Sequence, residues 1–355
     1  MNFKKLAANA SKLLIAAATI MISVPAFAEG YQVNSQSARQ LGMGHTGTAL
    51  KLGAESMLFN PAGMAFMNSK FDISLGVTGI KSKVEMNGTA PTNFKATTDN
   101  PLSTPLFGYI GYKPCKNLAI GVSITNPAGN GLNWPDNWAG STFVQEISLK
   151  VFSVQPTISY KIGDFISFGA GLMIDFGSFS MDKGLIAANA FNSLGTLAGG
   201  LSAMMPSLAP LPGMIQSFNN QIPASMELEG KSKVSVGYNL GVMVNLSKKI
   251  TLGASFRSKV KLSVEGGEAD VDYANDNAEA VVNAIKSFDT TPLKALEAAG
   301  HIPAGTVATL TKTQAQLALI GALDGANFDA SLPVPYVLSF GAAYKPTEKW
   351  TVTAD

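Results

Sequence analysis

The chain has 355 residues, with 26 Lys and Arg against 24 Asp and Glu, a formal net charge of only +2. A near-balanced chain gives no support to a general nucleic-acid role, and charged residues, at 14%, fall well below the roughly 25% usual in soluble domains. Beyond the N-terminal leader no apolar run approaches the roughly 20 residues of a spanning helix, and the single Cys115 excludes an intrachain disulfide framework or a paired-cysteine metal motif.

Residues 1–28 have the form of a secretory signal: Lys4, Lys5 and Lys12, then an apolar core from Leu13 to Val24, then Ala26-Phe27-Ala28 as cleavage site. The mature chain is expected to begin Glu29-Gly30-Tyr31-Gln32, and with no cysteine there it is not a lipoprotein. Residues 29–69 fit no strand ladder. Gly42, Gly44 and Gly47 resemble a dinucleotide fingerprint, but no strand precedes them, so a compact segment packed inside a barrel fits better. Asn60-Pro61-Ala62-Gly63 reads as a turn, opened by Asn and Pro and closed by Gly.

From residue 70 the period is two. Ile166, Phe168, Ala170, Leu172, Ile174 and Phe176 alternate with Ser167, Gly169, Gly171 and Asp175; Val236, Tyr238, Leu240, Val242 and Val244 alternate with Gly237, Asn239, Gly241 and Asn245. A soluble sandwich also alternates. Several runs, however, reach the roughly 9–11 residues that cross a bilayer on a tilt. Short turns (113–117, 161–164, 247–249, 345–349) also alternate with long connections (81–104, 126–145, 180–230, 266–331), the pattern of an outer-membrane barrel. Eight strands are expected, at 70–80, 105–113, 117–126, 146–161, 165–179, 230–246, 250–265 and 334–345, with a ninth from Lys349. Tyr109, Tyr112, Tyr160, Phe165, Tyr344 and Trp350 suit an aromatic girdle, and an odd strand count suggests a C-terminally incomplete barrel.

The long connection from Gly184 to Met226 holds no charged residue or histidine and is rich in Leu, Ala and Met. Either it packs over the barrel mouth, or Leu197, Leu201, Met204, Met205, Met214 and Ile215 form a surface groove that captures an apolar ligand. Helical spacing marks 276–286, 293–299 and 311–323 in the last long loop. In Ile250–Val264 alternation puts Ile250, Leu252, Ala254, Phe256, Val260, Leu262 and Val264 toward lipid, which leaves Arg257, Lys259 and Lys261 on the inner face. These cations either solvate or pair with plug carboxylates such as Glu55, or they hold an anionic head group, with Arg257 best suited to a bidentate grip.

These features together resemble the FadL family of long-chain fatty acid transporters. The resemblance rests on Gly30-Tyr31-Gln32 after the cleavage site, on Gly42–Ala49 and Asn60-Pro61-Ala62-Gly63 as a hatch, on Arg257-Ser258-Lys259-Val260-Lys261 in a seventh strand, and on Leu332-Pro333 opening an eighth. It implies an all-β, antiparallel transmembrane barrel of 14 strands in the family, of which this sequence supplies about eight or nine, with an N-terminal hatch and helical extracellular loops. It implies Tyr31 near an inner ligand site, Asn60, Pro61 and Ala62 holding the hatch, and Gly129 and Gly131 near an inward kink of strand three that opens sideways to the membrane. Passive, porin-like transport of long-chain fatty acids or other hydrophobic molecules by an outer-membrane monomer follows, with outer-membrane lipid around it and without nucleic acid, cofactor or metal. Entry of uncharged aromatic hydrocarbons and a structural or adhesive barrel are the other readings. A barrel enzyme lacks a plausible base, since His45 falls in the hatch and His301 in a surface loop.

Overall fold

The computed structural model describes residues 30–89, 94–135 and 138–355. The signal-peptide reading falls on residues 1–28, outside the described residues. The chain divides into a short N-terminal unit, Met1–Gln32, and a main unit, Val33–Asp355. In the former, Tyr31 lies in a turn and is half-buried.

Strands in chain order are β1 (Phe71–Val77), β2 (Glu85–Asn87), β3 (Lys95–Thr97), β4 (Leu106–Tyr112), β5 (Leu118–Thr125), β6 (Gly129–Asn133), β7 (Glu146–Ile162) and β8 (Ile166–Gly184). They continue as β9 (Ala224–Lys231), β10 (Ser235–Asn245), β11 (Ile250–Arg257), β12 (Val260–Tyr273), β13 (Ala326–Val334), β14 (Val337–Tyr344) and β15 (Val352–Ala354). β2 and β3 form a separate hairpin; the other 13 share one antiparallel sheet whose main path runs β1-β4-β5-β7-β8-β10-β11-β14-β15. With β5 and β6, β9 and β10, β11 and β12, and β13 and β14 each taken as one interrupted strand, every strand pairs with the next in the chain, as in an up-and-down barrel wall. Four expected strands prove longer or divided on the long-loop side: β8 reaches Gly184, β9 adds to β10, β12 runs to Tyr273 and β13 starts at Ala326. Alternation of greasy and polar residues hid these extensions, because Glu227, Glu229, Glu268 and Asp270 all lie on one exposed face there.

One face of the wall is apolar and exposed, with Phe168, Leu172, Tyr238, Leu240 and Phe340 about half accessible. The opposite face carries Ser123, Gln155, Ser159, Ser167 and Asn239, all buried, and Gln155, Ser159 and Asn239 bond to the segment 33–69. Tyr109 also turns inward, fully buried, and its hydroxyl donates to the Gln36 carbonyl at 2.8 Å, so it is no part of the girdle expected from its position. Tyr160, Phe165, Tyr344 and Trp350 are exposed as a girdle requires.

The segment 33–69 folds as short helical pieces, Ala38–Gly42, Gly53–Glu55, Ser56–Phe59 and Pro61–Phe66. The expected turn forms, with Gly63 N donating to the Asn60 carbonyl at 2.9 Å, and it continues as the first turn of a short 3-10 helix. The Asn60 side chain caps the helix Pro61–Phe66, accepting from Ala62 N at 3.1 Å with Pro61 at the first helical position, where a missing N–H costs nothing. Gly63 lies inside that helix, and glycine is needed there because a Cβ would stand 2.7 Å from Ser56 Oγ. Asn60 Nδ2 donates to the carbonyls of Thr48 (2.7 Å) and Val242 (3.1 Å), tying the segment to β10. Contact is so close that a Cβ on Gly169 would overlap the Pro61 carbonyl carbon, and one on Gly241 the Asn60 amide oxygen.

Gly169→Val should therefore unseat the segment, seen as faster proteolysis within 33–69 and a lower midpoint for loss of the unheated, folded gel band. Asn60→Ala strips the buried Thr48 carbonyl of a donor and the half-buried Val242 carbonyl of a second contact, at about 1–3 kcal/mol for a buried group left unsatisfied; a urea titration of the same band should record the loss.

Candidate ligand path along the inner wall

Inward side chains meet the hatch segment by hydrogen bonding to its backbone. Gln155 Nε2 donates to Met57 O at 2.7 Å, and Asn239 Nδ2 reaches Met57 O and Leu58 O, both at 3.0 Å. Ser159 Oγ accepts from Ala65 N at 3.2 Å. Lys113 Nζ, at the short-turn end, donates to Met67 O at 2.8 Å. These bonds satisfy carbonyls, and at Ala65 an N–H, of helices only a few residues long, whose end groups lack internal partners.

Strand three is interrupted. β5 ends at Thr125 and β6 begins at Gly129, with Asn126-Pro127-Ala128 between them and Ala128 buried. Past Leu106, β4 no longer accompanies it, and β6 pairs only with β7. Asn126 fills the break with hydrogen bonds: its Oδ1 accepts from Leu106 N (2.9 Å) and its Nδ2 donates to Val151 O (2.9 Å). Gln36 then clasps its backbone, donating to Asn126 O at 2.8 Å and accepting from Asn126 N at 3.1 Å. Val33 N adds a bond to Pro127 O at 3.1 Å. Gly129 and Gly131 lie on β6 just past the break, half-buried, with open space around Gly131 apart from Ser103 Oγ. Asn126 and Gln36 were not singled out from sequence; Pro127, directly after the expected strand 117–126, was the available signal.

The expected basic column divides. Arg257 sits opposite inward-facing Asn239 on β10, with the buried Asp175 carboxylate near enough to act on its charge. Lys259 and Lys261 do not share its face: both are exposed, while Val260, Leu262 and Val264, expected toward lipid, are buried. The cause is a bulge. Arg257 and Ser258 both turn inward, Ser258 Oγ accepts from Tyr238 N at 2.9 Å, and the alternation resumes one residue out of phase in β12. Glu55 does not serve the column either. It accepts from Ser37 Oγ and from Ser74 Oγ (2.6 Å), with Arg39 at 3.8 Å, all on the hatch side or β1.

Both long loops build a single apolar cap. The helices Asn192–Leu201 and Leu211–Ser217 pack with Asp276–Ser287, Thr291–Ala298 and Thr306–Gly321 around Phe191, Phe218, Val281, Val282 and Leu317. Leu201 and Ile215 are sealed in that core, Leu197, Met205 and Met214 flank it, and Met204 alone of the six proposed groove residues is 57% exposed. Charge-free composition thus serves a core made by two loops.

The sequence matches, over residues 19–355, the family described as outer membrane protein transport protein (OMPP1/FadL/TodX). The long-chain fatty acid transport protein of Salmonella typhi is 27% identical over 259 residues, covering 72% of this chain and 56% of that protein. Its counterpart in Escherichia coli (strain K12) is 23% identical over 279 residues, covering 75% and 60%. The chain spans less than two thirds of the length of these curated relatives. Among solved structures, a Pseudomonas aeruginosa FadL homologue superposes with a TM-score of 0.59 at 17% identity, covering 92% of this chain and 68% of that one. The Ralstonia pickettii toluene transporter TbuX gives 0.50 at 16% identity, covering 88% and 69%. At such identities the likeness is one of fold.

Gln36→Ala removes both clasps on Asn126. Amide exchange read by mass spectrometry should quicken at Asn126 and Ala128 while the β7–β8 ladder keeps its protection.

Proposed function

Because the chain belongs to the OMPP1/FadL/TodX family of outer-membrane transport proteins rather than of enzymes, we propose that it passes long-chain fatty acids or similar hydrophobic molecules across the outer membrane by passive diffusion. The observation that carries this reading is the interrupted third strand. The third strand is broken at Asn126–Ala128, where β4 no longer pairs with it, and the break is held by hatch residues Gln36 and Val33. Movement of the hatch would release the break and open a sideways exit beside Gly129 and Gly131, so that an apolar molecule leaves into lipid without entering water. The cap supplies an apolar entrance, with exposed Met204 as its first contact. Arg257 is the inner counter-charge for a carboxylate head group, and the protein acts as a monomer surrounded by outer-membrane lipid.

Asp175 favours a second reading. A buried carboxylate already opposes the Arg257 charge, which would suit an uncharged aromatic hydrocarbon as well as an acid.

Uptake by cells carrying Arg257→Ala separates the two. A charge-assisted hydrogen bond of about 1.5–3 kcal/mol sets an expected loss of about ten- to a hundredfold in fatty acid affinity, with toluene entry unchanged. Equal retention of both substrates would favour the hydrocarbon reading, and unchanged fatty acid uptake after deletion of residues 184–226 as well would remove the fatty acid reading.

A further inference from the structure

At one level the outer face of the wall changes from apolar to cationic, and the cause is the same bulge that divides the basic column. Below it, Val236, Tyr238, Leu240, Leu338 and Phe340 point outward and are 45–60% exposed. At the bulge, Tyr238, Phe256 and Tyr336 form a row across three strands, with ring centroids 5.9 and 6.3 Å apart. Just above it, outward positions are taken by Lys259 and Lys261, and on the paired strand by Lys231 and Lys233. Neighbouring strands shift phase at the same height, at Lys233-Val234 and at Val334-Pro335, so the change is a feature of the wall and not of one strand.

Height places this level. β11 has 8 residues from the short turn to the bulge; at about 3.3 Å per residue and a tilt of about 40° that is roughly 20 Å, close to the top of an apolar band of about 25 Å. It lies on the side of the long loops, hence at the outer leaflet. Lys259 and its neighbours Val236, Tyr238, Phe256, Ser258 and Tyr336 line one hollow on that surface. Only Lys233 of the four lysines is neutralised, by Glu265, and among the described residues neither Lys259 nor Lys261 forms an ion pair. Glu229 and Glu268, paired across β9 and β12, lie farther out and bound the cationic level from above.

We propose that this hollow binds the phosphate-bearing head group of an outer-leaflet glycolipid of the lipid A type. Acyl chains lie along the apolar strands, the sugar rests on the Tyr238–Phe256–Tyr336 row, and Lys259 and Lys261 receive the phosphate. Cations just outside an apolar band attract anionic head groups, and aromatic rings at that depth sit with one end dry and one end wet. The site is on the opposite side of the wall from Arg257, so it does not depend on the transport reading.

The test is native mass spectrometry of the full chain in detergent, titrated with lipid A and with lipid A stripped of its phosphates. Wild type should hold the phosphorylated form tighter, by about thirtyfold from two lysine contacts, with the difference shrinking in salt. Lys259→Gln with Lys261→Gln should abolish the preference, Lys259→Arg with Lys261→Arg should keep it, and Lys248→Gln with Lys249→Gln at the short turn should leave it unchanged. Equal binding of the two lipids to wild type overturns the proposal even if the glutamine pair fails to fold, as does an equal loss in the short-turn pair. Fatty acid uptake by the arginine pair stays at the wild-type level on this account.

Discussion

Everything inside this wall depends on two backbones lying in contact. The hatch can approach the strands only because the wall presents glycine where Pro61 and Asn60 come closest, at Gly169 and Gly241. Backbone brought that near carries its carbonyls into a space without room for water, where each must find a donor or cost free energy. Asn60, Gln155, Asn239 and Ser159 supply hydrogen bonds there. Where it meets the hatch, the inner face is thus a set of amide and hydroxyl partners for one particular segment.

The same segment governs the one interruption in the ladder among β5, β6 and β7. Proline at 127 cannot donate to a neighbouring strand, so the chain there needs other partners, and it takes them from Gln36, Val33 and its own Asn126 side chain. A break in the ladder whose hydrogen bonds come from Gln36 and Val33 ties the hatch segment to the wall at that point. Tyr109 completes the link, fully buried and bonded to the Gln36 carbonyl.

Above this level the wall obeys a different solvent. Bulges shift the side-chain phase where β10 meets β9, β11 meets β12 and β14 meets β13, so residues that would face lipid by simple alternation face inward instead. Val260, Leu262 and Val264 then pack inside while lysines and carboxylates face outward. Higher still, two loops share one core, each burying apolar faces that neither could cover alone.

Period-two alternation, short turns against long loops and the Asn60-Pro61-Ala62-Gly63 motif were legible in the sequence, because strand faces and proline or glycine chemistry are local properties. So were the strand path and the helices of the last loop. Alternation fails wherever a residue is inserted into the pattern, and a bulge is chosen by pairing with neighbouring strands. Only the tertiary structure therefore separated Arg257 from Lys259 and Lys261, moved Tyr109 from girdle to core, and sealed Leu201 and Ile215 in the cap. Gln36 and Asn126 lie far apart in the chain, and nothing local marks them as partners; their bond exists because the fold brings the hatch to the break.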